Sequence, residues 1–312
     1  MAHVSRSIPL NRQALLGIAF AALAAIGFST KAILVKLAYA SPVDAVTLLA
    51  LRMAFSVPLF LAAALWSRSN HTMPLTRRDW LAVLILGLIG YYLSSLLDFS
   101  GLQYISAGLE RLILFLYPTM VVLLSAAIFK RPVGRREVVA LALSYAGILL
   151  VFMHDAGRNQ TGIALGAGLV FASTLTYSVY LVGAGHAIAR IGATRFTAYA
   201  MLVASTATLL QFGVTHPVSA LELPTRVYGL GFAMAIFSTV LPVFMLSTGI
   251  RLIGSGHTAL VGSIGPVATI FMAHQVLGEA ISVQQIGGAV LVLAGVLAIS
   301  VGRGAVQKNE SA

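Results

Sequence analysis

The sequence predicts an all-α integral membrane protein of ten transmembrane helices. They form two inverted five-helix repeats, residues 1–155 and 156–312, with both termini cytoplasmic. Three observations predict this class. First, the 312 residues are 59% hydrophobic and 9% charged, with a mean hydropathy of +0.94. A soluble domain carries roughly 25% charged residues, so most side chains here must face lipid or one another. Second, Gly101, Ile105, Gly108, Leu112, Pro118, Leu143, Ala146, Gly147 and Leu149 recur 148 positions later. Their counterparts are Gly249, Ile253, Gly256, Leu260, Pro266, Leu291, Ala294, Gly295 and Leu297. A fixed offset in so apolar a chain marks a protein built from two structural repeats. Third, lysine and arginine gather on alternate connections.

Crossing the hydrocarbon takes about 20 apolar residues as a helix, which leaves room for roughly ten crossings with short loops. The first span, 14–37, follows Arg12; it is too long for a signal-peptide core and lacks a convincing cleavage site, so it is expected to be retained. The second, 43–66, ends before Arg68, and the third, 80–99, follows Arg77 and Arg78. Only the weakly polar stretch 100–107 separates it from the fourth, 106–129, which ends at Lys130 and Arg131. The fifth, 135–153, starts at Arg135 and Arg136 and precedes His154 and Asp155, which read as an outer loop. The sixth, 161–184, and seventh, 194–214, flank Arg190 and Arg195. The eighth, 225–248, opens beside Arg226 and runs almost directly, through 249–255, into the ninth, 256–276. The tenth, 283–302, ends at Arg303.

With the N-terminus inside, the inner segments hold Arg6, Arg12, Arg68, Arg77, Arg78, Lys130, Arg131, Arg135, Arg136, Arg190, Arg195, Arg251, Arg303 and Lys308. Outer loops hold only Arg158 and Arg226, so the positive-inside rule places both termini in the cytoplasm. Five crossings per copy is odd, so the second copy must insert upside down and matched loops should differ in charge. Lys130 and Arg131 inside match Gly278 and Glu279 outside. Asp44 and Thr47 outside match Gly192 and Arg195 inside, and Gln103 outside matches Arg251 inside.

Several functions are disfavoured by residue type. No cysteine is present, which removes disulfides, thiolate metal sites and a cysteine nucleophile. His154, His186, His216, His257 and His274 come from separate segments without ligand spacing, so neither metal nor cofactor is expected. No Walker motif is present for direct ATP drive. The net charge of +11 is scattered through short loops, which fits membrane orientation rather than nucleic acid.

A charge at membrane depth is costly unless paired or hydrated. Arg52 lies roughly 13 Å along its helix from Val43, near the bilayer centre. Lys31 and Lys36 occupy the outer half of the first span, with Lys36 expected to snorkel outward. Asp98 ends the third span, Glu110 and Arg111 open the fourth, and Asp44 starts the second from the same side. One reading is a polar entry to a central cavity, with Arg52 or Lys31 attracting an anionic group and Asp98 or Glu110 binding a coupling proton. The other is a structural ion-pair network holding these helices together. Softer candidates are Tyr91, Ser94, Ser95 and Asp98 on one face, and Ser173, Tyr177 and Tyr180 on another. They either line a watery cavity or act as ordinary packing residues between helices. Pro118 and Pro266, at matched positions, are hinge candidates or static kinks; Pro58 and Pro242 interrupt two further spans. Gly162, Gly166, Gly287, Gly288 and Gly295 are expected to permit close helix contact.

Leu277-Gly278-Glu279-Ala280-Ile281-Ser282, followed by Gln285-Ile286-Gly287-Gly288 and Gly295, resembles the drug/metabolite transporter superfamily, in particular the EamA-type ten-helix permeases. The stretch Gly108 to Pro118 and Arg52 with its following apolar run are similar to first-repeat sequence of that group. Lys130-Arg131 departs from it, standing where a Gly-Glu pair is expected. The resemblance implies a secondary carrier, exporting a small metabolite across the bacterial cytoplasmic (inner) membrane by alternating access. It also implies that helices one to four and six to nine surround a cavity while five and ten pack outside. The expected partners are a small-molecule substrate and the lipid bilayer; oligomeric state and cargo stay open. Competing classes are a passive channel or a non-transporting membrane partner, and an intramembrane enzyme, for which no nucleophile–base set is visible.

Overall fold

The computed structural model describes residues 12–69, 74–130, 132–157 and 161–309. Arg6, Arg131 and Arg158 of the charge count lie outside the described residues, as do the side chains of His186, Arg303 and Lys308. The described residues are helical, without strands. The first half contains α1 (Arg12–Ala38), α2 (Ala45–Ser69), α3 (Arg77–Gly87), a π-helical turn (Leu88–Leu93), α4 (Ser94–Gly101), α5 (Ala107–Leu114), α6 (Tyr117–Ile128) and α7 (Arg135–Ala156). The second contains α8 (Ile163–Ile191), α9 (Ala193–Thr215), α10 (Thr225–Ala235), a second π-helical turn (Ile236–Val240), α11 (Leu241–Gly262), α12 (Ile264–Leu277) and α13 (Val283–Asn309). Nine segments among the described residues are long and apolar enough to cross a membrane, and Val283–Ala298 is a shorter apolar stretch.

Local chemistry sets the boundaries. Thr76 and Asp79 form a reciprocal capping box that starts α3. Ser106 caps α5 by accepting from the Leu109 N–H. Gly192, at φ 88°, separates α8 from α9, and Gly278, at φ 69°, ends α12. His154 and Asp155 lie in the last turn of α7 rather than in an outer loop, because the helix continues to Ala156.

The 148-residue offset reappears in the backbone. α9 starts 148 positions after α2, α10 after α3, the second π turn after the first, and α13 after α7. α5 ends at Leu114 and α11 at its counterpart Gly262, so the fourth and ninth spans break at the same place. Pro118 and Pro266 are therefore not mid-helix, as the sequence suggests. Each falls in the first turn after a break, where its missing N–H costs no intrahelical bond. A further break at Gly254, φ 78°, falls at the position matching Ser106, the cap of α5.

Helix contacts also pair reciprocally. A methyl on Gly147 would lie 2.6 Å from the Gly288 carbonyl oxygen, and one on Gly295 would lie 2.5 Å from that of Ala140. Gly295 is the counterpart of Gly147, and Gly288 of Ala140, so α7 and α13 meet through one contact made twice, as a two-fold relation requires. A methyl on Gly17 would lie 2.5 Å from Ile253, and one on Gly166 2.8 Å from Ile105, the counterpart of Ile253, although Gly166 stands one position past Leu165, the counterpart of Gly17. These small residues allow van der Waals packing where lipid provides no hydrophobic drive. Gly287, by contrast, meets only Leu150, at 3.5 Å, and Gly162 serves the left-handed start of α8 at φ 83°.

Lys130 sits at φ 50°, the left-handed position that its counterpart Gly278 occupies without strain. A side chain there costs roughly 1–2 kcal/mol. Lys130→Gly is therefore expected to stabilise the protein by about 1 kcal/mol, read as a higher midpoint of thermal unfolding in detergent. An unchanged or lower midpoint would count against strain at this residue.

Candidate functional site

Four helices of the first half bring charge to one buried place. α1 supplies Lys31, α2 Arg52, α4 Asp98, and the eight-residue α5 supplies Glu110 and Arg111. Lys31 Nζ lies 2.5 Å from Asp98 Oδ2, to which it donates a hydrogen bond, and 2.9 Å from Glu110 Oε1. The side chain of Lys31 is 15% exposed, those of Asp98 and Glu110 4% and 0%. Taking such ions out of water costs several kcal/mol each, so one ammonium shared by two carboxylates is what keeps both buried. Asp98 Oδ1 and Glu110 Oε2 have no hydrogen-bond partner, while Glu110 Oε1 meets the ammonium.

Arg52 is 7% exposed. Its Nε donates to Thr239 Oγ1 at 2.9 Å, its guanidinium lies 5.3 Å from the Phe99 ring centroid, and its Nη1 has no partner. Thr239 sits in the second π turn, so this bond joins the two halves. Tyr91, in the first π turn, is the counterpart of Thr239. The extra residue of a π turn re-aims the side chains around it, and such turns gather at functional sites.

Arg111 points to a different neighbour. A methyl on Gly265 would lie 2.8 Å from its Nη2, and Ser29 Oγ, next to it, donates to the Gly265 carbonyl at 2.9 Å. Tyr117 and Tyr177 lie within electrostatic range of the guanidinium, and their rings meet edge-on at 5.9 Å. Tyr177 stacks on Tyr180 at 5.6 Å, and the Tyr180 hydroxyl lies 2.9 Å from that of Tyr91. An aromatic wall thus continues from the charged cluster.

Ser94 and Ser173 are both buried and bonded to each other. Their hydroxyls are 3.0 Å apart, and Ser173 Oγ donates to the Ser94 carbonyl at 2.8 Å. Here α4 meets α8, and the pair joins these helices rather than facing a cavity. Ser95 makes no part of that contact. Asp44 also stands apart from the cluster: it caps α2, accepting from the Val46 and Thr47 N–H groups, with His216 Nε2 at 3.3 Å. Lys36 is half-buried and faces Glu279 electrostatically, at the end of the molecule where it was expected to snorkel.

The enclosure is tight. A cavity of about 10 Å³, room for a single water, lies between α2, α9 and α11, lined by Phe60, Thr194, Thr197 and Phe244. Closure on the opposite side involves Glu279 of the Leu-Gly-Glu stretch. Its two carboxylate oxygens accept from the Ala107 and Gly108 N–H groups at 2.9 and 3.3 Å, capping α5 from the other half of the chain. No group of three or more metal-ligating side chains gathers among the described residues.

Sequence reasoning missed Thr239, Ser29, Phe99 and Tyr117. The offset itself carries a signal for three of them, since Thr239 matches Tyr91, Ser29 matches Tyr177, and Tyr117 matches Gly265.

The chain matches the EamA-like transporter family model twice, over residues 15–153 and 164–301. It is 30% identical over 293 residues to the uncharacterized transporter YcbK of Bacillus subtilis (strain 168), covering 91% of this chain and 93% of that protein. It is 24% identical over 220 residues to an S-adenosylmethionine/S-adenosylhomocysteine transporter of Chlamydia trachomatis (serovar L2), covering 67% of each. A solved crystal structure superposes with a TM-score of 0.63 at 19% identity, covering 90% of this chain and 95% of that one, which is a likeness of fold.

Two outcomes follow from this geometry. Lys31→Met leaves two buried carboxylates without their cation and should cost about 3–5 kcal/mol. Adding Asp98→Asn and Glu110→Gln should return most of that loss in detergent unfolding. If the triple variant is no more stable than Lys31→Met, Lys31 does not hold the carboxylates. The second concerns Asp44. Partial burial pushes its carboxyl up, but hydrogen bonds from Thr47, the His216 imidazole and the Val46 N–H outweigh this, and the net direction is down. A carboxyl held below its unfolded value contributes stability above about pH 4 and loses it as pH falls further. The stability gap between wild type and Asp44→Asn should therefore narrow below about pH 4; a gap independent of pH from 7 to 3 would contradict it.

Proposed function

Because the chain belongs to the EamA-like transporter family and is a multi-pass membrane transporter of small molecules, we propose that it is a secondary carrier working by alternating access, with export as its direction. Residues 1–155 and 156–312 are the two inverted repeats, both termini are cytoplasmic, and the membrane is the bacterial inner membrane. The reciprocal contacts of Gly147 with Gly288 and of Gly295 with Ala140 support the two-fold relation. The alternation of basic loops supports the inversion.

One observation carries the carrier reading. The cluster of Lys31, Asp98, Glu110 and Arg111 is enclosed where the two halves meet, beside matched helix breaks at 115–116 and 263. A continuous open pore would leave such charges hydrated, whereas a carrier encloses its site between two gates. Lys31, Arg52, Asp98, Glu110 and Arg111 supply charge to that site, and Tyr91, Tyr177 and Tyr180 form its wall. Ser94 and Ser173 hold the wall in place. The breaks preceding Pro118 and Pro266 are the hinges. Glu279 closes the outer gate by clasping the start of α5. Its counterpart Arg131 has the opposite charge and would not cap a helix N-terminus, so the two gates differ.

Counterflow in proteoliposomes tests the carrier: saturable exchange is expected, and flux linear in solute would sink the reading. The outer gate has its own test, since the chain has no cysteine to remove. Thr269, fully buried on α12, becomes a near-isosteric reporter as Thr269→Cys. Adding Glu279→Gln weakens two charge-assisted bonds, worth about 1.5–3 kcal/mol each. Labelling by an impermeant maleimide from the outer face should rise at least about tenfold, without a matching rise from the inner face. Equal rises on both faces would indicate unfolding, and no rise would remove Glu279 as the gate.

A further inference from the structure

Lys31, Arg52 and Arg111 share the interior of the first half with Asp98 and Glu110; a third buried carboxylate, Asp155, lies at the outer end and accepts from Ser106 Oγ at 3.1 Å. Lys36 and Glu279, also at the outer end, offset one another. Lys31 lies within 2.5 and 2.9 Å of the two carboxylates, so their charge is already engaged. Neither guanidinium has a carboxylate within ion-pair distance among the described residues. Arg52 Nη1 and Arg111 Nε are buried without a hydrogen-bond partner. A charge without a counter-ion at this depth is costly, and protonating either carboxylate only makes the interior more positive. The interior therefore favours an incoming anion over a cation.

The pseudo-symmetry shows where it would sit. Ser29 is the counterpart of Tyr177, and Gly265 of Tyr117. On one side the two halves touch through the small pair, Ser29 Oγ to the Gly265 carbonyl; on the other they touch through the two tyrosine rings. The Arg111 guanidinium lies against the small pair, with Tyr117 and Tyr177 in electrostatic range. Tyr91, Tyr117 and Tyr177 each keep part of their surface accessible, although their segments are central in the fold. Arg52 is already committed to Thr239 and Phe99. Arg111 makes no comparable bond and offers a planar fork that suits a carboxylate. Ring faces beside that fork suit a flat, π-rich body, because aromatic pairs gain contact beyond their buried area.

We infer that Arg111 and the Tyr91, Tyr117 and Tyr177 rings bind a planar aromatic or heteroaromatic carboxylate, its carboxylate on Arg111 and its ring against the tyrosines. This deepens the carrier reading by assigning a ligand class to the same site.

Three matched probes test it on the wild-type protein in nanodiscs by calorimetry: benzoate, cyclohexanecarboxylate with the same charge and no aromatic ring, and benzamide with the same ring and no charge. Benzoate should bind saturably, and each of the other two at least about tenfold more weakly, a difference of about 1.4 kcal/mol. Arg111→Gln should remove benzoate binding, and Tyr177→Leu should narrow the gap between benzoate and cyclohexanecarboxylate. If either variant fails to fold, the wild-type comparison still decides. Equal binding of benzoate and cyclohexanecarboxylate, equal binding of benzoate and benzamide, or tighter binding of phenethylamine than of benzoate would overturn the inference. Counterflow separates the two readings. Benzoate that binds but never exchanges would sink the carrier and keep the site. Saturable exchange of another solute without benzoate binding would keep the carrier and sink the ligand class.

Discussion

A single ammonium, that of Lys31, holds the interior of the first half together. It is shared by carboxylates from α4 and α5 and projects from α1, so three helices that enclose the site converge on one nitrogen. In hydrocarbon no water compensates a buried charge, so each ion must find its partner in the protein. That requirement sets the register of α1 against α4 and α5 more strictly than apolar packing does, because leucine and alanine contacts tolerate sliding. It also explains why α5 is a short, separately capped helix. Ser106 and Glu279 satisfy its first N–H groups, and the break after Leu114 lets Glu110 and Arg111 occupy the interior without a straight continuation into α6.

The two halves repeat their backbone more faithfully than their chemistry. Helix starts, π turns and span breaks recur at one offset, and the glycine contacts between α7 and α13 are reciprocal. Side chains at matched positions diverge. Lys31 corresponds to Val179 in the repeat, Glu110 to Thr258, and Arg52 to Ala200. The scaffold is therefore close to symmetric while its electrostatics belong to one side. At the matched positions 131 and 279 the sequence carries opposite charges, Arg131 and Glu279. Lys130 adds a backbone consequence, since the first half carries a left-handed residue where the second has glycine.

Much of the fold was legible in the chain. The hydropathy pattern located the crossings within a few residues, and the capping residues Thr76 and Ser106 and the turn glycines Gly192 and Gly278 supplied boundaries. The site was legible by residue type. Lys31, Asp98, Glu110 and Arg111 stood out because charge is rare at such depth. Their partners did not stand out. Thr239 is one hydroxyl among many, and only its contact with Arg52 distinguishes it. Ser94 and Ser173 fitted a polar stripe by spacing, yet they bond to each other's helix. The prolines looked like interior kinks because helix breaks depend on what packs beside them.

The sequence by itself determined the membrane class, the approximate limits of the apolar segments, the internal offset and the residues whose charge demands explanation. These follow from transfer free energies and turn preferences that act locally and add along the chain. Only the tertiary structure decided which ion meets which, where the fourth and ninth spans break, and that Arg111 lies against Gly265 and Ser29 with Tyr117 and Tyr177 in electrostatic range. Those outcomes join residues far apart in sequence. Their energies exist only once the helices are packed, because the strength of a buried interaction depends on its partner's distance as well as on its charge.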